Sequence, residues 1–71
     1  MTPARFAILH DVYRAMEVEP DGRGVLEPHL RAKLGVNALD LYYLTNAGLL
    51  VRRKRYLKLS AAGMDIVEHG S

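Results

Sequence analysis

Cysteine is absent from the 71 residues, which excludes disulfides and thiolate metal sites and leaves a reducing compartment permitted. No apolar run approaches the length of a membrane span. Arg5, His10 and Asp11 interrupt any signal-type hydrophobic segment near the N-terminus, so a soluble, cytoplasmic chain with no membrane partner is expected. His10, His29 and His69 show neither HxxxH nor HExxH spacing, so scattered histidines are expected rather than a metal site. Gly22-Arg23-Gly24 belongs to neither GxGxxG nor GxxxxGK[ST], which removes the phosphate-loop reading. No carboxylate pair stands out, and neither Ser60 nor Ser71 has the surroundings of a nucleophile. No enzyme activity and no cofactor are expected.

What is present suits a small globular core. Almost half of the residues are apolar and a quarter charged, which argues against disorder, and the length allows one domain over 1–71. A core of this size leaves about 3–5 kcal/mol of net stability, so a homodimer would be a natural supplement. The net charge of +2 says little, but its distribution says more. Residues 49–58 carry Arg52, Arg53, Lys54, Arg55 and Lys58 and no acid, whereas the rest of the chain holds five basic and eight acidic residues, a balance of −3. A mildly acidic body with one basic projection differs in kind from a uniformly basic protein.

The stretch Leu41 to Ser60 organises the chain. Leu41 and Leu44 share one helix face. Gly48 can take positive φ and close that helix, and Leu49 should then touch Leu44 in a Schellman ending. Leu49-Leu50-Val51 and Tyr56-Leu57-Lys58-Leu59 read as short strands joined through Arg52-Arg53-Lys54-Arg55, with Ser60 capping a last helix. The pattern LxxLxxxGLL, a basic hairpin and then YLKLSAAG resembles the recognition helix and wing of MarR/PadR-type winged helix-turn-helix domains, through Leu41, Leu44, Ala47, Gly48, Leu49, Tyr56, Leu59, Ser60 and Gly63. With the two preceding helices the resemblance covers nearly all of the chain. It implies a mainly α fold with a small β-hairpin (α+β): a winged helix-turn-helix with a three-helix core, a wing and a C-terminal helix.

From the N-terminus, Thr2-Pro3 opens a helix over roughly 3–17. Phe6, Leu9, Tyr13 and Met16 form its apolar stripe, widened by Ile8 and Val12. Pro20 and Asp21-Gly22 break the pattern, and Gly24-Val25-Leu26 can add a short strand to the later hairpin. Pro28 restarts a helix over 28–34, with Leu26, Leu30 and Leu34 on one face, and Gly35 stops it. Asn37 caps the next helix, 37–47, and the two helices form the unit that can lay a helix in a DNA groove. The last helix covers about 61–69, buries Met64 and Val67, and is weakened by Gly63. The expected core joins Phe6, Leu9, Leu30, Leu41, Leu44, Leu49, Leu57 and Met64.

These placements imply a DNA-binding regulator of transcription. Arg52, Arg53, Lys54 and Arg55 would meet phosphates, Asn37, Tyr42 and Tyr43 on helix 37–47 would meet the groove, and Arg31 and Lys33 would add positive charge beside it. Only twelve residues separate Gly35 from Gly48, about one helical turn fewer than in MarR-like sequences, and helix 37–47 carries no lysine or arginine, with Asp40 as its sole charge. Asn37 is equally explained as a cap. A cation-free helix with two adjacent tyrosines also suits an alternative, a winged-helix protein–protein interaction module of regulatory or phage-type adaptor kind. A third reading has RNA or single-stranded nucleic acid gripped by the wing and Tyr56. The basic tip also has a plain use, a solvated turn that protects an edge strand.

Overall fold

A computed structural model describes residues 1–70; Ser71, and with it the last position of the expected domain, lies outside them. The chain runs α1 (Pro3–Val18), β1 (Val25–Leu26), α2 (Glu27–Leu34), α3 (Ala38–Asn46), β2 (Leu50–Arg53), β3 (Tyr56–Leu59) and α4 (Ala61–His69). Among the described residues, four helices and a three-stranded antiparallel sheet of order β1-β3-β2 make an α+β fold. Among the described residues no helix is long and apolar enough to cross a membrane.

Local chemistry sets the helix ends. The side chains of Thr2, Asn37 and Ser60 accept hydrogen bonds from the backbone N–H of Arg5, Leu39 and Gly63, each taking up an amide that its helix leaves unpaired. At the end of α3, Leu49 N–H donates to the Leu44 carbonyl at 3.0 Å and Gly48 N–H to the Thr45 carbonyl at 3.1 Å. With Gly48 at φ 78°, these two bonds form the expected Schellman ending, and a side chain there would be held in the left-handed region.

The buried cluster comprises Ile8, Leu9 and Val12 of α1, Leu30, Leu41 and Leu44 of α2 and α3, and Val25, Leu49, Leu50, Leu57 and Leu59 of the sheet and its root. This corrects the expected core at two positions, Phe6 and Met64. Phe6 is half-exposed and stacks on His10, with ring centroids 6.2 Å apart. The stripe is therefore centred on Ile8, Leu9 and Val12, with Tyr13 and Met16 partly buried against it. On α2 only Leu30 is buried; Leu34 at its end is 39% exposed, and Leu26 of β1, expected on the same face, is 38% exposed. Met64 packs on the margin of the cluster rather than inside it.

Gly63 is the buried residue of α4. A Cβ at that position would press into the Leu49 carbonyl oxygen, so the glycine that weakens the helix is what lets it approach the root of β2. Tyr13 of α1 donates a hydrogen bond to Glu68 of α4 at 2.9 Å, and that bond raises the phenol above its ordinary pKa.

Candidate nucleic-acid interface

Alternation along a strand divides the hairpin into two faces. Leu50, Leu57 and Leu59 point into the core, and Arg52, opposite Leu57, shares their side. Val51, Arg53, Tyr56 and Lys58 form the outer face, with Val51 opposite Lys58 and Arg53 opposite Tyr56. The tip is narrower than the expected 52–55: Arg52 and Arg53 belong to β2, and the turn is Lys54-Arg55. Lys54 is the one non-glycine residue with positive φ among those described, at 58°, in the first position of a two-residue hairpin loop where glycine is preferred. β2 is an edge strand, so its charges also discourage pairing with another sheet.

The nine residues expected to bind DNA fall on different parts of the surface. Arg52 pairs with Glu27 at 2.9 Å, across a hollow of about 290 Å³ that also touches Leu41, Tyr42 and Thr45. Lys33 pairs with Asp11 at 2.8 Å and so leans onto α1. Asn37 spends its side-chain oxygen on the α3 cap, at 2.8 Å from Leu39 N. Arg31 is exposed on α2, where the last turn of the helix favours a cation. Arg53, Lys54 and Arg55 are exposed, with no carboxylate in ion-pair range among the described residues.

Leu39, Tyr42 and Tyr43 follow one another at helical spacing on the outward side of α3 and are 62, 65 and 44% exposed. Tyr43 is the more covered of the two tyrosines because the Arg5 guanidinium lies 3.8 Å from its ring centroid. The same Arg5 pairs with Asp40 at 3.0 Å, which neutralises the charge expected to repel phosphate. The outward side of α3 is thus uncharged, and the cations on either side of it, Arg5 and Arg52, are both held by acids.

Positive charge gathers instead on the outer sheet face. A groove of about 870 Å³ is lined there by Arg53, Lys54, Tyr56 and Lys58, by Pro20 to Arg23 of the loop after α1, and by Met16, Val51, Leu59 and Met64. The Arg23 guanidinium stands 5.8 Å from the Tyr56 ring centroid, and Lys58 donates to the Pro20 carbonyl at 3.1 Å. Arg23 escaped the reading of the sequence, although a signal for it existed. A strand at 24–26 that pairs with the hairpin must bring the preceding loop alongside, and the register sets Val25 opposite Leu57. Neither a protein-family model nor a curated protein nor a solved structure matches this chain significantly.

Proposed function

We propose that the chain is a small winged helix-turn-helix protein of MarR/PadR-like type that binds double-stranded DNA in the cytoplasm as a regulator of transcription. The order of elements and the sheet order β1-β3-β2 are compatible with that layout, with α2 and α3 as the helix-turn-helix and β2–β3 as the wing. One observation carries the reading: Arg53, Lys54 and Arg55 project from the wing without a carboxylate partner among the described residues, while Arg5 and Lys33 of the body, and Arg52 on the inner side of the wing, are neutralised. Phosphate contacts by the wing supply affinity, and α3 offers Tyr42 and Asn46 to the duplex.

Three phosphate contacts predict a log–log salt slope of about −2.7, a loss of roughly 40-fold in affinity between 50 and 200 mM salt. Replacing Arg53 and Lys54 with alanine should flatten the slope by about two units and leave the melting temperature nearly unchanged, because exposed charges contribute little to stability. Fluorescence anisotropy with labelled duplex checks both values. Full affinity and full salt dependence in the double variant would remove the wing from the interface.

The second reading, a protein-binding module, draws on the exposed Leu39-Tyr42-Tyr43 side of α3. A parent protein that ignores duplex DNA even at 50 mM salt would favour it.

A further inference from the structure

The groove on the outer sheet face differs from a phosphate patch in having an apolar floor and an aromatic wall. We propose that it receives an unpaired nucleotide of a DNA strand adjoining the duplex, with the base stacked on Tyr56 and the flanking phosphates held by Arg53 and Lys54. The proposal rests on the DNA-binding reading and deepens it, since it makes the preferred site a junction between paired and unpaired strand.

Tyr56 is half-buried, so its ring is held in place, yet it lines the open groove. Arg23 stands over the same ring at 5.8 Å, on a loop and with an exposed side chain. Two stacking distances of the usual size come to about 7 Å, so an outward swing of roughly 1 Å would let a flat base slide between the phenol and the guanidinium. Val51 and Met64 offer an apolar floor to the rest of the base and sugar. Arg53, Lys54, Lys58 and Arg23 surround that floor, against Asp21 alone, which selects an anionic guest.

An aromatic platform beside cations that follow a backbone is the general solution for single strands, because every base has a π face and every linkage a charge. A base inside a duplex is covered by its neighbours and cannot reach Tyr56. The phosphates of the paired part are within the scope of the tip. The groove volume of about 870 Å³ lies within the range of sites that enclose small organic groups.

The test compares a blunt duplex, the same duplex with a short single-stranded thymidine extension, and thymidine monophosphate, each against the parent, Tyr56→Leu and Arg23→Ala. The parent should bind the extended duplex more tightly than the blunt one by about 5- to 100-fold, the worth of one stacked base. Tyr56→Leu should erase that gain while keeping blunt-duplex affinity and salt slope. Arg23→Ala, at an exposed site, should reduce the gain without altering the fold, which guards against a Tyr56→Leu chain that does not fold. Equal binding of blunt and extended duplexes would overturn the inference and leave the duplex reading standing. Binding of extended but not blunt DNA would do the reverse. A gain that survives both substitutions, or monophosphate binding as strong as that of the extended strand, would also overturn it, the latter in favour of a small-molecule site.

Discussion

The two sides of the hairpin are built from the same few residues, yet one is electrically balanced and the other positive. On the α3 side, Arg52 meets Glu27 and Arg5 meets Asp40, so each cation is matched and the exposed surface is Leu39, Tyr42 and Tyr43. On the outer side, Arg53, Lys54 and Lys58 gather with Arg23 around Tyr56, and among the described residues Asp21 is the one acid lining the groove. A run of four basic residues looks uniform in the sequence, but strand alternation deals it to two surfaces, and the partners already waiting there decide which charges stay available. The number of cations is therefore a poor guide to binding, and their distribution over the two faces a better one.

The strongest way to break this contrast is to remove the floor that both sides share. Leu44 is fully buried on the inner side of α3, and Leu44→Ala should cost about 2–5 kcal/mol, most of the stability available to a domain of this size. Urea or thermal unfolding measures the loss, and both surfaces should fail together. If salt-dependent DNA binding outlived the fold, it would belong to a basic peptide and not to a wing.

A milder change shifts one charge across the divide. Glu27→Gln would release Arg52 from its ion pair and make the α3 side positive. The salt slope should steepen by up to about 0.9, while stability falls by roughly 0.3–1 kcal/mol because Glu27 also favours the start of α2. An unchanged slope in the anisotropy titration would mean that the α3 side stays clear of the phosphates.

The smallest effect is expected at the tip. Lys54 holds a positive φ of 58°, which costs a residue with a Cβ about 1 kcal/mol. Lys54→Gly should relieve that strain, offset in part by the greater freedom of glycine in the unfolded chain, so that the melting temperature rises by a few degrees at most. Duplex affinity should fall at the same time as one phosphate contact is lost. Stability and binding would then move in opposite directions, and a variant that loses both would contradict the turn described for 54–55.

The features legible in the sequence are those decided by near neighbours. The caps at Thr2, Asn37 and Ser60 and the ending at Gly48 need only a few consecutive residues, and the structure repeats each of them. The α1 stripe was harder, because Phe6-Leu9-Tyr13-Met16 and Ile8-Leu9-Val12 overlap at helical spacing. Hydrophobicity alone cannot say which half of a broad apolar arc turns inward; the placement of the sheet and α3 against α1 does. The same limit applies to the interface. Alternation alone separates Arg52 from Arg53, but Glu27 and Asp11, which occupy Arg52 and Lys33, are distant in sequence. Gly63 was half-legible for a related reason: helix propensity counts its cost, and only the nearness of the Leu49 carbonyl shows its use.

The bonds around Ser60 have a consequence for how binding is driven. Its hydroxyl donates to the Gly48 carbonyl at 2.6 Å and accepts from Gly63 N–H at 3.1 Å, while its own N–H donates to the Leu49 carbonyl at 3.1 Å. The last turn of α3, the root of β2 and the first turn of α4 are thus fastened at one residue. A strand anchored this way need not be ordered by its ligand, so association spares the entropy of folding a loop. What is left to freeze is the rotamers of Arg53, Lys54 and Arg55, at roughly 0.5–1.5 kcal/mol for each side chain immobilised. Affinity is then set by how many of these long side chains a given partner must hold still.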